Sequence, residues 1–231
     1  MNKTSWLLLL LGALGPLLGC AGIVQPAQMR LPPELAARAP EPLQGLGGGR
    51  QGRFSLGAEG GSFRRGLDRL VLMDLLARER ASSSFEWQRA DGSAVQASCR
   101  GRQSTASVGV LSARVQPFAL DCRFSGALQA SLSLAAPAGA ALGTRAERSG
   151  RFESEGQVLE LRSVHEVQGS SLPLAAPIGY TLWQGGRPVG AIELNGGTPR
   201  LWRPAEGEAL QAPVTLAALA LALLWDPAQQ E

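Results

Sequence analysis

Residues 213–227 read PVTLAALALALLWDP, and the fold turns on where this stretch goes. It holds one uncharged polar residue, Thr215, and no charge before Asp226. A bilayer span needs about 20 apolar residues, so the run is too short to cross one. It is also too apolar to lie on a protein surface. Alanine and leucine dominate it, and both are strong helix formers. Proline is tolerated in a first helical turn, and Asp226-Pro227 ends the run, so a helix of about three to four turns over 213–225 is expected. A helix apolar on every side has to be buried on every side.

Upstream the hydrophobic period is mostly two. SFEWQRADGSAVQASCR (84–100) is two strand-like runs joined at Asp91-Gly92, a strong hairpin signal. IGYTLWQGGRPVGAIEL (178–194) is a second hairpin, turning at Gly185-Gly186. GRFSL, VQPFALDCRF, ALQASLSL, GRFESE, VLELRSVHEV and PRLWR supply further short strands with turn residues between them. GLDRLVLMDLLARER (66–80) is ambiguous: Leu67, Leu70, Val71 and Leu75 fit a helix face, and the run is read as a helix or a strand–helix mixture. The fold class expected is mainly β, an antiparallel barrel or strongly curled sheet wrapped around a hydrophobic C-terminal helix. Closure would bury the helix and also remove sheet edges. The alternatives are a helix packed on one side of a sandwich under a partner, and a tail that dips into a membrane.

Antiparallel strands followed by an almost wholly apolar C-terminal helix resemble the tubby/LURP-one/phospholipid-scramblase-like group. The likeness rests on GSFRR (61–65), IGYTLW with PVGAIEL (178–194), and LAALALALLWD (216–226). It implies a barrel of strands closed around the helix. The phosphoinositide groove of eukaryotic members has no residue-by-residue counterpart here.

The N-terminus reads MNKTSWLLLLLGALGPLLGC: a polar start with Lys3, an apolar run from Trp6 to Leu18, then Gly19-Cys20. This is the layout of a secretory signal. LLGC in this position resembles the lipobox of bacterial lipoproteins. The resemblance implies cleavage before Cys20 and acylation of that cysteine, so that palmitate-type chains tether the mature protein to a membrane. Ala21 follows the cysteine where an Asp would mark inner-membrane retention in enterobacterial members, so the outer membrane, periplasmic face, is the expected address. Acyl chains contribute about 0.8 kcal/mol per buried methylene.

The resulting organisation is a signal over 1–19, a lipidated Cys20 with a Pro/Gly-rich tether over 20–51, and one β-rich domain over 52–231. Pro26, Pro32, Pro33, Pro40, Pro42 and GLGGGRQG give the tether its character. PPELAARA within it could form only a brief helix. GLGGGR lacks the Lys-Ser/Thr of a phosphate loop. The formal net charge of +3 includes the only lysine, Lys3, so the chain without its signal is barely basic. That balance and a periplasmic address exclude nucleic acid as the expected partner.

Cys99 and Cys122 remain once Cys20 is set aside. An oxidising compartment and an even count favour a disulfide, with two buried thiols as the alternative. No CxxC and a single histidine leave no metal site to expect, and no cofactor is expected. His165 stands beside Glu166 in a strand-like run and reads as structural. No G-x-S-x-G or H-E-x-x-H motif is present. Glu153 and Glu155 would share a strand face by period two, and a solvated face explains them. Arg64, Arg65, Arg69, Arg78 and Arg80 form the densest basic cluster. Arginine forks suit phosphate or carboxylate, so Arg64, Arg65 and Arg69 are candidates for an anionic-ligand patch, against the alternative of a mixed solvated face with Asp68, Asp74 and Glu79. Trp87, Trp183 and Trp202 are expected in or around the barrel.

The leading functional expectation is a non-enzymatic outer-membrane lipoprotein whose domain binds an envelope protein or anionic lipid. The runner-up is a lipid or lipoprotein carrier holding an acyl chain, which the helix would obstruct. An envelope hydrolase stands third.

Overall fold

The computed structural model describes residues 27–73, 75–108, 111–137 and 145–226. Cys20 and the signal lie outside the described residues. A short helix α1 (Pro33–Ala36) and a two-residue strand β1 (Glu41–Pro42) come first. Eleven strands follow: β2 (Gln51–Leu56), β3 (Glu59–Leu72), β4 (Leu76–Gln88), β5 (Ala94–Val108), β6 (Leu111–Gly126), β7 (Ala130–Ala135), β8 (Ser149–Ser154), β9 (Gln157–Val164), β10 (Gly179–Gln184), β11 (Arg187–Glu193) and β12 (Arg200–Trp202). The chain ends on helix α2 (Gln211–Ala222). All pairings are antiparallel, in the order β1-β12-β11-β10-β9-β8-β7-β6-β5-β4-β3-β2. From β2 to β12 this is an up-and-down meander, curled into a nearly closed barrel.

The helix α2 occupies the barrel axis. Every residue from Gln211 to Ala222 is buried, as are Leu223 and Leu224. Its surroundings are the inward side chains of the strands, which alternate with exposed ones as period two requires. Phe54, Phe85, Phe124 and Phe152 come from β2, β4, β6 and β8 and meet edge-on or tilted, with centroids 5.4–6.5 Å apart. Smaller residues on intervening strands make room, as Ala97 does between Phe85 and Phe124. Gly190 on β11 is a seat for the helix: a Cβ there would lie 2.4 Å from Cγ1 of Val214. Thr215 sends its hydroxyl back to the carbonyl of Gln211, which hides the one polar side chain of the central turns.

Two sequence expectations change. The described residues of 66–80 contain no helix: they belong to the outer part of the β3–β4 hairpin, paired from Leu67–Ala81 to Leu72–Leu76. The apolar residues of the tip fall on both faces of the hairpin and are exposed on both, so the run shows no strand alternation. The Pro/Gly-rich segment packs on the barrel from residue 29 onward. Met29, Leu31 and Leu35 cover a second apolar cluster built from Val164, Ile178, Ala191 and Trp202. Glu41–Pro42 then pairs with Leu201 and Arg200 of β12, and Gln44 exchanges backbone bonds of 3.0 and 3.1 Å with Ser55 of β2. Residues 41–44 therefore bridge the last and first long strands. Proline-rich composition leaves only the short α1 and β1 as regular structure here, but it does not stop buried leucines from fixing the chain. Gly45, at φ 84°, is where it turns in; a Cβ would fall 2.4 Å from the carbonyl oxygen of Arg53.

Cys99 and Cys122 face the core directly opposite each other on β5 and β6, with Cα atoms 4.0 Å apart, and are joined in a disulfide. Among the described residues no helix is long and apolar enough to cross a membrane.

Candidate functional site

The barrel has two different ends. The turns after β2, β4, β6, β8 and β10 lie at the end where α2 begins. The ends of β3, β5, β7, β9 and β11 lie where α2 stops. At the first end Arg203 closes the interior. Its guanidinium donates to both carboxylate oxygens of Glu41 at 2.8 Å, to Glu59 at 2.6 Å and to Thr215 at 3.1 Å. Gln211 also donates to Glu59, at 3.3 Å. Burial works against the charge on Arg203, and the two carboxylates more than offset it, so its pKa stands above the ordinary value.

The second end is a mouth. A cavity of about 490 Å³ opens there between Gly47–Gly48 and Gly196–Gly197, with Leu224, Trp225 and Asp226 at its base. A Cβ on Gly47, Gly48 or Gly197 would meet nothing within 4 Å, so these glycines face open space. The volume is in the range of small-ligand clefts. Behind the lining residues Asp226 and Tyr180, Arg148, almost fully buried, makes a two-pronged ion pair with Asp226; its Nη2 donates to Oδ1 at 2.7 Å and its Nη1 to Oδ2. Nη1 also donates to the Tyr180 hydroxyl at 3.1 Å, and the guanidinium stacks 3.7 Å from the Phe118 ring centre. Burial opposes its charge, while Tyr180 and Asp226 overcome that and raise its pKa. Tyr180 is fully buried, and burial raises its phenol above the usual range.

The arginines singled out from sequence do not form one patch. Arg65 points inward. It donates to the carbonyls of Gly49 at 3.0 Å, Leu46 at 2.9 Å and Gly47, and lies 5.0 and 5.2 Å from the ring centres of Phe63 and Trp225. It thus ties the glycine loop to the end of α2, and burial lowers its pKa. Arg64, one residue away, is on the outer face and exposed. Arg69 is on the inward side of the projecting hairpin, 3.6 Å from buried Glu79. The basic cluster is dense in sequence, but the strand period splits it between two faces.

His165 is buried and held at both nitrogens. Nδ1 lies 2.9 Å from the carbonyl of Leu174, which can only accept, so Nδ1 carries the proton, and Nε2 lies 3.1 Å from the Ser163 hydroxyl. Glu153 is exposed on β8, while Glu155 sits in the β8–β9 turn at φ 46°, so the two do not share a strand face. Trp87 is inside the barrel, Trp202 is under the N-terminal segment with Nε1 donating to the carbonyl of Arg38 at 3.1 Å, and Trp183 stacks with Arg162 outside. Among the described residues no group of three or more His, Cys, Asp or Glu is placed to hold a metal.

The mouth, with Tyr180, Arg148, Asp226, Arg65 and Trp225, was not foreseen. Asp226 and Trp225 were read only as the end of the helix. Arg148 carries no local motif, since its partners are 32 and 78 residues away. Comparison with family models, curated proteins and solved structures returned no match.

Proposed function

We propose that the chain is an outer-membrane lipoprotein, acylated at Cys20, whose barrel is a periplasm-facing binding or assembly module with no catalytic role. The observation that carries the module reading is the filled axis: α2 occupies the whole interior with buried side chains. What is left for contact is the glycine-walled mouth and the outer faces. An acyl chain carried along the axis would have to displace α2, which disfavours the lipid-carrier alternative. The anchoring reading rests on LLGC at residues 17–20, and the likeness to the tubby/LURP-one/scramblase-like group rests on helix-in-barrel arrangement and element order.

Labelled palmitate and membrane fractionation test the anchor. The parent chain is expected to carry label and sediment with outer membrane, and Cys20→Ser to lose both. Retained label in the variant contradicts the reading. Native mass measurement tests the module: the detergent-extracted protein is expected at the mass of its own acylated chain, and a stoichiometric extra lipid would favour the carrier.

A further inference from the structure

The exposed large apolar side chains gather at one end of the molecule. Leu70, Val71, Leu72, Met73 and Leu75 form the tip of the β3–β4 hairpin, where Met73 is 91 % exposed. Leu172, 76 % exposed, and Leu174 are in the loop between β9 and β10, which is at the same end. The tip also projects. Following the ladder across the barrel, Ala135 on β7 pairs with Ala119, Ala119 with Arg102, Arg102 with Arg80 and Arg80 with Asp68. Beyond that level β7 stops, whereas β3 and β4 continue through Arg69–Glu79, Leu70–Arg78, Val71–Ala77 and Leu72–Leu76, and β5 and β6 run on beside them to Val108–Leu111. Four more residues per strand amount to ~13 Å.

The N-terminal segment arrives at this same end. Ala27 accepts a hydrogen bond from Asn195 in the β11–β12 loop, and Met29 bridges to Val167 in the β9–β10 loop. Cys20 stands seven residues before Ala27. At ~3.5 Å per extended residue the anchor would hold this end within about 25 Å of the lipid. Behind the tip, Arg69, Arg78 and Arg80 are exposed; the same stretch carries the acids Asp68, Asp74 and Glu79, of which Glu79 is buried and faces Arg69. An apolar tip backed by arginines suits the boundary between acyl chains and anionic headgroups.

We infer that the β3–β4 tip inserts into the bilayer to which Cys20 is anchored, so that the barrel stands on the membrane with its mouth towards the lipid. The inference rests on the lipoprotein reading. It makes the tip a second membrane contact, which orients the domain.

The test uses the full acylated protein in vesicles of phosphatidylethanolamine and phosphatidylglycerol. Met73→Cys introduces the one free thiol, since Cys20 is acylated and Cys99 is bonded to Cys122. An environment-sensitive dye at residue 73 is expected to shift to the blue and to be quenched severalfold more by spin-labelled lipids than the same dye on Arg187→Cys, in the β10–β11 turn at the opposite end. Equal, weak quenching at both positions overturns the inference. So does a residue 73 dye shielded by a second copy and cross-linked to it. Intact mass on the same samples reads acylation separately. A chain without acyl groups overturns the anchor reading, and Met73→Cys in a soluble chain starting at Ala21, where residue 73 is again the one free thiol, labelled and mixed with the vesicles still decides whether the tip enters lipid.

Discussion

Arg148 is a buried cation held inside the barrel. Its charge is buried beneath the mouth, and Asp226 is its two-pronged counterion. Removing one member of a buried pair leaves an uncompensated charge, which costs about 3–5 kcal/mol, whereas replacing both with apolar groups is often neutral. Asp226→Ala is therefore expected to lower unfolding stability by about that amount, and Arg148→Met combined with Asp226→Leu to recover most of it. Denaturant titrations of the three proteins check this. Tyr180 gives the alkaline counterpart. Its folded phenol pKa is raised by burial, so the stability tied to its proton is present below the unfolded value of about 10 and is lost as pH rises through the folded pKa. A stability–pH curve should fall on the alkaline side for the parent and fall less for Tyr180→Phe.

Among the elements, the hairpins at Asp91-Gly92 and Gly185-Gly186 were legible because their turn chemistry is local, and α2 because its composition admits one environment. The β3–β4 tip was not legible. Its leucines match a 3.6-residue period by coincidence, and nothing in Leu70 or Leu72 records that both faces meet solvent. The N-terminal segment was hidden for a different reason. Met29, Leu35, Leu43 and Leu46 lack any period, and each is buried against partners far along the chain. Arg65 was visible as a cation but not as an inward one, because its carbonyl partners belong to that same aperiodic segment. The segment's role can be checked by comparing a soluble chain starting at Ala21 with one starting at Gly45. The shorter chain loses the link between β12 and β2 and bares the outer cluster around Trp202. It is expected to lose cooperative melting or to associate through the freed edges. Melting like the longer chain would mean that residues 27–44 are dispensable cladding.

Taken whole, the molecule is a nearly closed sheet around a helix that is buried on every side. The mouth, the buried ion pairs at both ends and the projecting tip all take their positions from that arrangement. Leu219 lies at zero exposure in the middle of α2, and the most direct test places a charge there. An unpaired buried carboxylate costs far more than the roughly 0.5–3 kcal/mol of an ordinary substitution. Thermal unfolding of the soluble chain starting at Ala21, with no membrane present, should show the parent melting cooperatively and Leu219→Asp unfolded or lowered well beyond that range. A Leu219→Asp protein that melts like its parent would mean that α2 is not enclosed by the strands, and the helix-filled barrel would be wrong.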